Sequence, residues 1–226
     1  DQNFAHCSDC GSFGGATIAE NSSYVNGLNT TNFRTMVGNN LVPFEFYRTF
    51  DVKTGGWTAE YGRALGGVTS AVTKSGSNRF EYGAIITYSP DILNSDSPNT
   101  FRDASRKLKQ FNEDDYREQI QGNFYVSGAP IRDRVFFYGL YAPRYNVSKD
   151  TSVIGGFRFN SKSTTPFYGA KLDVIPIDGH RLEGTFWSDR RNIYTDYYPV
   201  DDQGTVTRAS IGREDNEIGG KVKISL

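Results

Sequence analysis

VKTGGWTAEYGRALGGVTSAVTKSGSNRF, residues Val52 to Phe80, decides how the rest of the chain is read. Glycine pairs at Gly55-Gly56 and Gly66-Gly67 and small side chains up to Ser77 describe a packed, turn-rich piece. From Phe80 polarity alternates. Phe80, Tyr82, Ala84, Ile86 and Tyr88 fall on one face, and Glu81, Gly83, Ile85 and Thr87 on the other. Aromatics at both ends of the apolar face fit the interfacial girdle of a membrane-type strand. A compact globular segment thus runs directly into a strand with one apolar and one polar side.

Downstream the same alternation returns. Ile120, Gly122, Phe124 and Val126 oppose Arg117, Gln119, Gln121, Asn123 and Ser127. Tyr168, Ala170, Leu172 and Val174 oppose Lys171 and Asp173, and Ile218, Val222, Ile224 and Leu226 oppose Glu217, Lys221 and Lys223. Val135 to Tyr141 is apolar on both faces, and Arg181 to Asp189 alternates imperfectly, with Trp187 on the side of Glu183 and Asp189. Both read as strands, giving about six antiparallel strands in all. Their connections alternate in length. Ala129 to Arg134 and Pro176 to His180 are tight turns, whereas Ser89 to Asp114, Asn146 to Pro166 and Arg191 to Asn216 are long and polar. Loops sorted by side in this way are a feature of transmembrane barrels.

Upstream, Ser22 to Val25 before Asn26-Gly27 reads as a strand and tight turn. Pro43 to Tyr47 starts a short helix, and Phe50 to Lys53 and Gly67 to Lys74 are strands. Sixteen Phe, fourteen Tyr and 24 Gly against one Met favour strands and turns over helices throughout. With 226 residues the chain holds one large β domain or two smaller ones. A formal net charge of -1, with both signs interspersed, gives no pull toward nucleic acid. No apolar run approaches the roughly 20 residues of a membrane helix, but a barrel strand needs only about 9–11 with every second one apolar.

The blocks IAENSSYVNGLNTTNFRT (Ile18 to Thr35), VPFEFYRTFDVKTGG (Val42 to Gly56), AEYGRALGGVTSAVTKSGSN (Ala59 to Asn78) and GAPIRDRVFFYGLY (Gly128 to Tyr141) resemble, in order, TonB-dependent outer-membrane receptors of the Oar-like branch. Ala129 stands where the family's hairpin usually has a second glycine. The resemblance implies a mostly β fold: a partial α+β plug over residues 1–77, then the first strands of a large transmembrane β-barrel over 78–226. The family's barrel has about 22 strands around a plugged lumen, and even the smallest outer-membrane barrels have about eight. Six strands leave the barrel incomplete, so the chain is expected to be a fragment, the later part of the plug and the opening barrel strands. The implied role is a non-enzymatic receptor of the bacterial outer membrane that imports an extracellular substrate. Its implied partners are outer-membrane lipid, an unknown substrate and the TonB energy-coupling complex, the last through a segment absent here. No cofactor is implied.

On that reading Arg117, Gln119, Gln121, Asn123, Lys171, Asp173, Lys221 and Lys223 form the lumen-facing wall, against which a Gly/Asn/Thr-rich plug makes polar contacts that exchange with water. Asn21, Tyr24, Asn26, Asn29, Asn32 and Trp57 are ligand-binding candidates, with turn chemistry the competing explanation for the asparagines. Tyr194, Tyr197 and Tyr198 could stack on a sugar or peptide, or belong to girdle and loop packing. Cys7 and Cys10, in HCSDC, are a disulfide candidate; free thiols and metal or redox chemistry are the alternatives, though a structural zinc site needs a second ligand pair that is missing. Asn112 to Asp115 is acidic but lacks the spacing of a calcium loop, and no metal site is assigned. No HExxH, P-loop or GxSxG occurs, and acidic residues such as Glu113, Asp201 and Asp202 read as solvated loops rather than a hydrolytic pair. The alternative class is a soluble β-sandwich adhesin or carbohydrate-binding module.

Overall fold

The computed structural model describes residues 13, 15–31, 42–58, 61–62, 64–95, 97–102, 107–218 and 223–225. Cys7, Cys10, Asn32 and Lys221 lie outside the described residues. Two sheets account for the fold, which is mostly β with a curled antiparallel half-barrel as its larger part.

The smaller sheet has four strands: β1 (Ser22–Val25), β2 (Leu28–Asn29), β3 (Tyr47–Lys53) and β4 (Val68–Thr73), in the order β2-β1-β4-β3. β1 and β4 are parallel and the other pairs antiparallel. Asn26 and Gly27 close the β1–β2 hairpin with φ of 48° and 78°, the left-handed pair a two-residue turn requires. Pro43 precedes a single 3-10 turn, Phe44–Phe46, instead of an α-helix, because Tyr47 already has extended backbone and begins β3.

The larger sheet is built from β5 (Glu81–Ser89), β6 (Thr100–Arg102), β7 (Lys107–Ile131), β8 (Val135–Ala142), β9 (Arg144–Ser152), β10 (Phe157–Ser163), β11 (Phe167–Val174), β12 (Leu182–Ser188), β13 (Arg191–Pro199), β14 (Gly212–Ile218) and β15 (Lys223–Ser225). The pairings order these as six staves. β5 pairs with the lower part of β7, β8 with β7 and β11, and β12 with β11 and β15. Above them β6 pairs with the upper end of β7, β9 with β7 and β10, and β13 with β10 and β14. β8 therefore continues into β9, β10 into β11, β12 into β13 and β14 toward β15.

The long connections correct the sequence reading. Residues 107–114, 146–152, 157–163, 191–199 and 212–216 are ordered β-structure, because the staves extend past the apolar band as paired ladders. There the outer face is polar as well, so the period-two hydrophobic signal weakens while the backbone bonds persist. The 200–206 turn packs Gly204 against Phe111, and the Asn99 carboxamide accepts from the backbone N–H groups of Asn112 and Glu113 where β7 bulges.

A second correction concerns the last stave. Arg191 pairs with Ile218, but Trp187 pairs with Lys223, so the residue numbers of each pair add to 409 in β14 and 410 in β15. The two strands are therefore one residue out of phase with each other, and Glu217 pairs with outward-facing Asn192. The alternation read from Glu217 to Leu226 as one run therefore does not carry from β14 into β15.

Candidate functional site

β11 sets the geometry of the site. Its residues alternate buried and exposed from Phe167 to Asp173, so Phe167, Gly169, Lys171 and Asp173 point to one side and Tyr168, Ala170 and Leu172 to the other. The buried side is covered by the small sheet, and register carries it across the neighbours. Tyr138, Lys171 and Thr185 form one inner row; Leu140, Gly169 and Trp187 form the next, and β15 pairs its backbone with β12 at their edge. The outward side stays exposed and apolar, with Ile86, Val126, Tyr141, Leu172, Phe186 and Ile224, one from each stave.

Between the sheets lies a dry core. Val25 and Ala71 from the small sheet, with Val42 and Phe46 from the segment that enters β3, meet Tyr138, Leu140, Ala142, Phe167 and Trp187 from the large one. Phe46, Phe167 and Trp187 are each 0% exposed. Phe46 packs edge-on to Phe167 at 5.5 Å between centroids and tilted to Tyr138 at 6.1 Å. Gly169 makes room for it: a Cβ there would sit 2.7 Å from the Phe46 ring. Polar ties frame the core. The Tyr138 hydroxyl donates to the Glu45 carbonyl at 2.7 Å, and the Asn26 amide donates to Thr73 Oγ1 and Thr185 Oγ1, each at 2.8 Å. Sequence reasoning anticipated a contact of exchangeable polar groups, whereas the contact has an apolar centre with polar ties at its rim.

This core also explains the two irregular strands. Val135 to Tyr141 is apolar on both faces because its inner face meets Phe46 while its outer face joins the exposed apolar surface. Trp187 shares the side of Glu183 because it lies inward beneath the small sheet. Phe46, Tyr138, Phe167 and Gly169 were not singled out from the sequence, and Trp187 was noted only as an exception on an otherwise polar face, which was the available signal.

The residues expected on the wall fall as follows. Asn123, Lys171 and Asp173 are buried on the inner face, Gln121 is half-buried, and Arg117 and Gln119 are exposed on the same face higher up. Lys223 pairs with Trp187 through its backbone. Lys171 and Asp173 join Arg181 and Glu183 in a charged cluster: Lys171 Nζ lies 3.1 Å from Glu183 Oε2, Arg181 Nε 2.9 Å from Glu183 Oε1, and Arg181 Nη2 3.4 Å from Asp173 Oδ1.

The ligand candidates are scattered. Asn26 ties the two sheets. Asn29 Oδ1 accepts from Thr31 N in a local turn, and the Tyr24 ring packs edge-on to Tyr61. Asn21 and Trp57 are half-buried, on the segments before β1 and after β3. Of the three tyrosines, Tyr197 shares the inner face with Phe157 and Phe159 and donates to Glu214, while Tyr194 and Tyr198 lie on the outer face by register.

In the upper sheet the acidic bulge is already engaged. Asp114 Oδ2 lies 2.9 Å from Lys149 Nζ and 2.8 Å from Arg158 Nη2, and the Lys149 ammonium, with Arg158, holds its carboxyl below the usual range. Burial and then the Asp150 carboxylate push Asp115 up to about 6. Among the described residues no group of three or more His, Cys, Asp or Glu side chains is placed to hold a metal ion.

The chain is 30% identical over 189 residues to the TonB-dependent transporter Oar of Myxococcus xanthus, a match covering 80% of this chain and 17% of the relative. It therefore spans under a fifth of that protein, and the relationship is TonB-dependent-receptor-like and distant. No family model and no solved structure matches the chain.

Two predictions follow from this geometry. Phe46→Ala should lower stability by about 3–5 kcal/mol through the cavity it leaves, measured by denaturant unfolding. Gly169→Ala should also destabilise, and the double variant should lose less than the sum, because the new methyl occupies space the ring has vacated. Asp115, whose folded pKa is raised, binds its proton more tightly when folded, so its contribution weakens stability as pH rises from about 4 to about 6. Asp115→Asn should therefore raise the unfolding midpoint at pH 8 and leave it nearly unchanged at pH 4; an equal gain at both would contradict the assignment.

Proposed function

We propose that this chain is part of a TonB-dependent transporter of the bacterial outer membrane, with residues 1–77 belonging to the plug and 78–226 to the barrel wall. The observation that carries the reading is the sorting of the larger sheet into an outward apolar face near its tight turns and an inward face covered by a separate small sheet. Lipid would cover the outward face, and the girdle positions Tyr82, Tyr88 and Tyr168 are exposed on it. A water-soluble β-sandwich module would have to leave this face in water, so the face favours the membrane reading.

The likeness to a TonB-dependent transporter supports an outer-membrane transport role. In that role Arg117, Gln119, Gln121, Asn123, Lys171, Asp173, Lys221 and Lys223 line the wall facing the plug and the passage. Substrate enters from the side of the long β-extensions, where the inner face offers Phe157, Phe159 and Tyr197 above the plug. Asn21, Tyr24, Asn29, Asn32 and Trp57 are the plug positions proposed to meet it, with Asn26 reserved to hold the plug to the wall. The TonB energy-coupling complex would drive the plug's rearrangement. The work of moving it is set by the contact described above, because the apolar centre must separate before a passage opens.

Leu172→Arg separates the readings. At the lipid face near mid-membrane the change should cost about 2–4 kcal/mol and sharply lower the amount of full-length protein assembled in the outer membrane. Full assembly of the variant, or recovery of the native protein in a soluble fraction, would overturn the proposal, since an outward leucine in water tolerates arginine.

A further inference from the structure

The inner face holds a charge pair that the apolar contact does not need. Lys171 and Asp173 are 3% and 0% exposed, and their charged ends stand 3.9 Å apart. Neither oxygen of Asp173 accepts a hydrogen bond from a described residue; its salt-bridge partners are Lys171 and the half-exposed Arg181. Lys171 is better satisfied, through Glu183. The reason for their burial is visible in the row that contains Lys171. Tyr138 on one side donates to the Glu45 carbonyl, and Thr185 on the other receives the Asn26 amide. Lys171 therefore lies in a row tied on either side to the small sheet's β1–β2 turn and to the 3-10 turn that enters β3, and it is buried there.

A buried pair with poor hydrogen bonding loses more in hydration than its mutual attraction returns. We infer that the Lys171–Asp173 pair is a release device: it is dehydrated while the small sheet is seated, rehydrated when that sheet lifts, and so lowers the free energy of lifting. It opposes the Phe46 contact. The aromatic core holds the two sheets together, and the charge pair keeps that hold from being irreversible. The inference rests on the transport reading for its use in the cell, but its physical claim concerns only the seated and lifted states.

Hydrogen–deuterium exchange of the Ser22–Val25 and Val68–Thr73 amides in the full-length protein, purified in detergent, reads that equilibrium directly. Replacing both charges by apolar groups of similar volume, Lys171→Met with Asp173→Leu, leaves Glu183 paired to Arg181 and should slow exchange about tenfold or more. Asp173→Asn alone, which strands part of the Lys171 charge, should speed it. Unchanged or faster exchange in the double variant would overturn the inference. Should that variant not accumulate, unchanged or slower exchange in Asp173→Asn would overturn it equally. Because exchange is read on purified protein, this result stands apart from the Leu172→Arg test of membrane assembly.

Discussion

The Phe46 ring occupies the space that a side chain at position 169 would fill, and the geometry of the inner wall follows from that contact. For the ring to enter, β11 must present a glycine inward, which fixes the phase of the strand and hence of every paired neighbour. Once that phase is set, Tyr138, Leu140, Phe167 and Trp187 converge on the ring, while Tyr168 and Leu172 are directed outward. A one-residue slip anywhere in the middle staves would turn Lys171 and Asp173 outward and place Leu172 against the small sheet. The core between the sheets therefore specifies register as well as supplying stability.

Above this core the sheet changes character at one level. Pro143, Thr164 to Pro166, and Asp189-Arg190 interrupt three adjacent staves side by side, and the Gly122 N–H donates across to the Pro143 carbonyl. Below the line the outer face is apolar. Above it, outward side chains form charge-balanced contacts such as Asp114 with Lys149 and Arg158, and Arg213 with Asp196. β7 alone runs through unbroken for 25 residues, a spine joining both zones. Prolines cost little at such a line, where the ladder is interrupted in any case.

The sequence disclosed its organisation unevenly, for physical reasons. Strands with water or a polar partner on one side and an apolar environment on the other, such as Phe80 to Tyr88 and Tyr168 to Val174, show period two plainly. A strand polar on both faces, such as β14, resembles a loop in composition, because a ladder of backbone bonds leaves no mark on side-chain hydropathy. The contact between the sheets was hidden for a third reason. Phe46 lies in a short 3-10 turn and Gly169 in a strand far away, and nothing local links a missing Cβ to the ring that fills its place. Asn26 shows the same limit. Its Asn-Gly turn was legible, but its carboxamide bridges Thr73 and Thr185, 47 and 159 residues away.

The account stands most directly on whether the small sheet seats against the inner wall of a membrane-embedded sheet through Phe46. A photoreactive phenylalanine analogue placed at position 46 of the full-length protein, activated in intact outer membranes and mapped by mass spectrometry, measures this contact. The account predicts cross-links to peptides containing Tyr138, Gly169 or Trp187, in protein released only by detergent. Cross-links confined to other regions, or protein recovered without detergent, would contradict it.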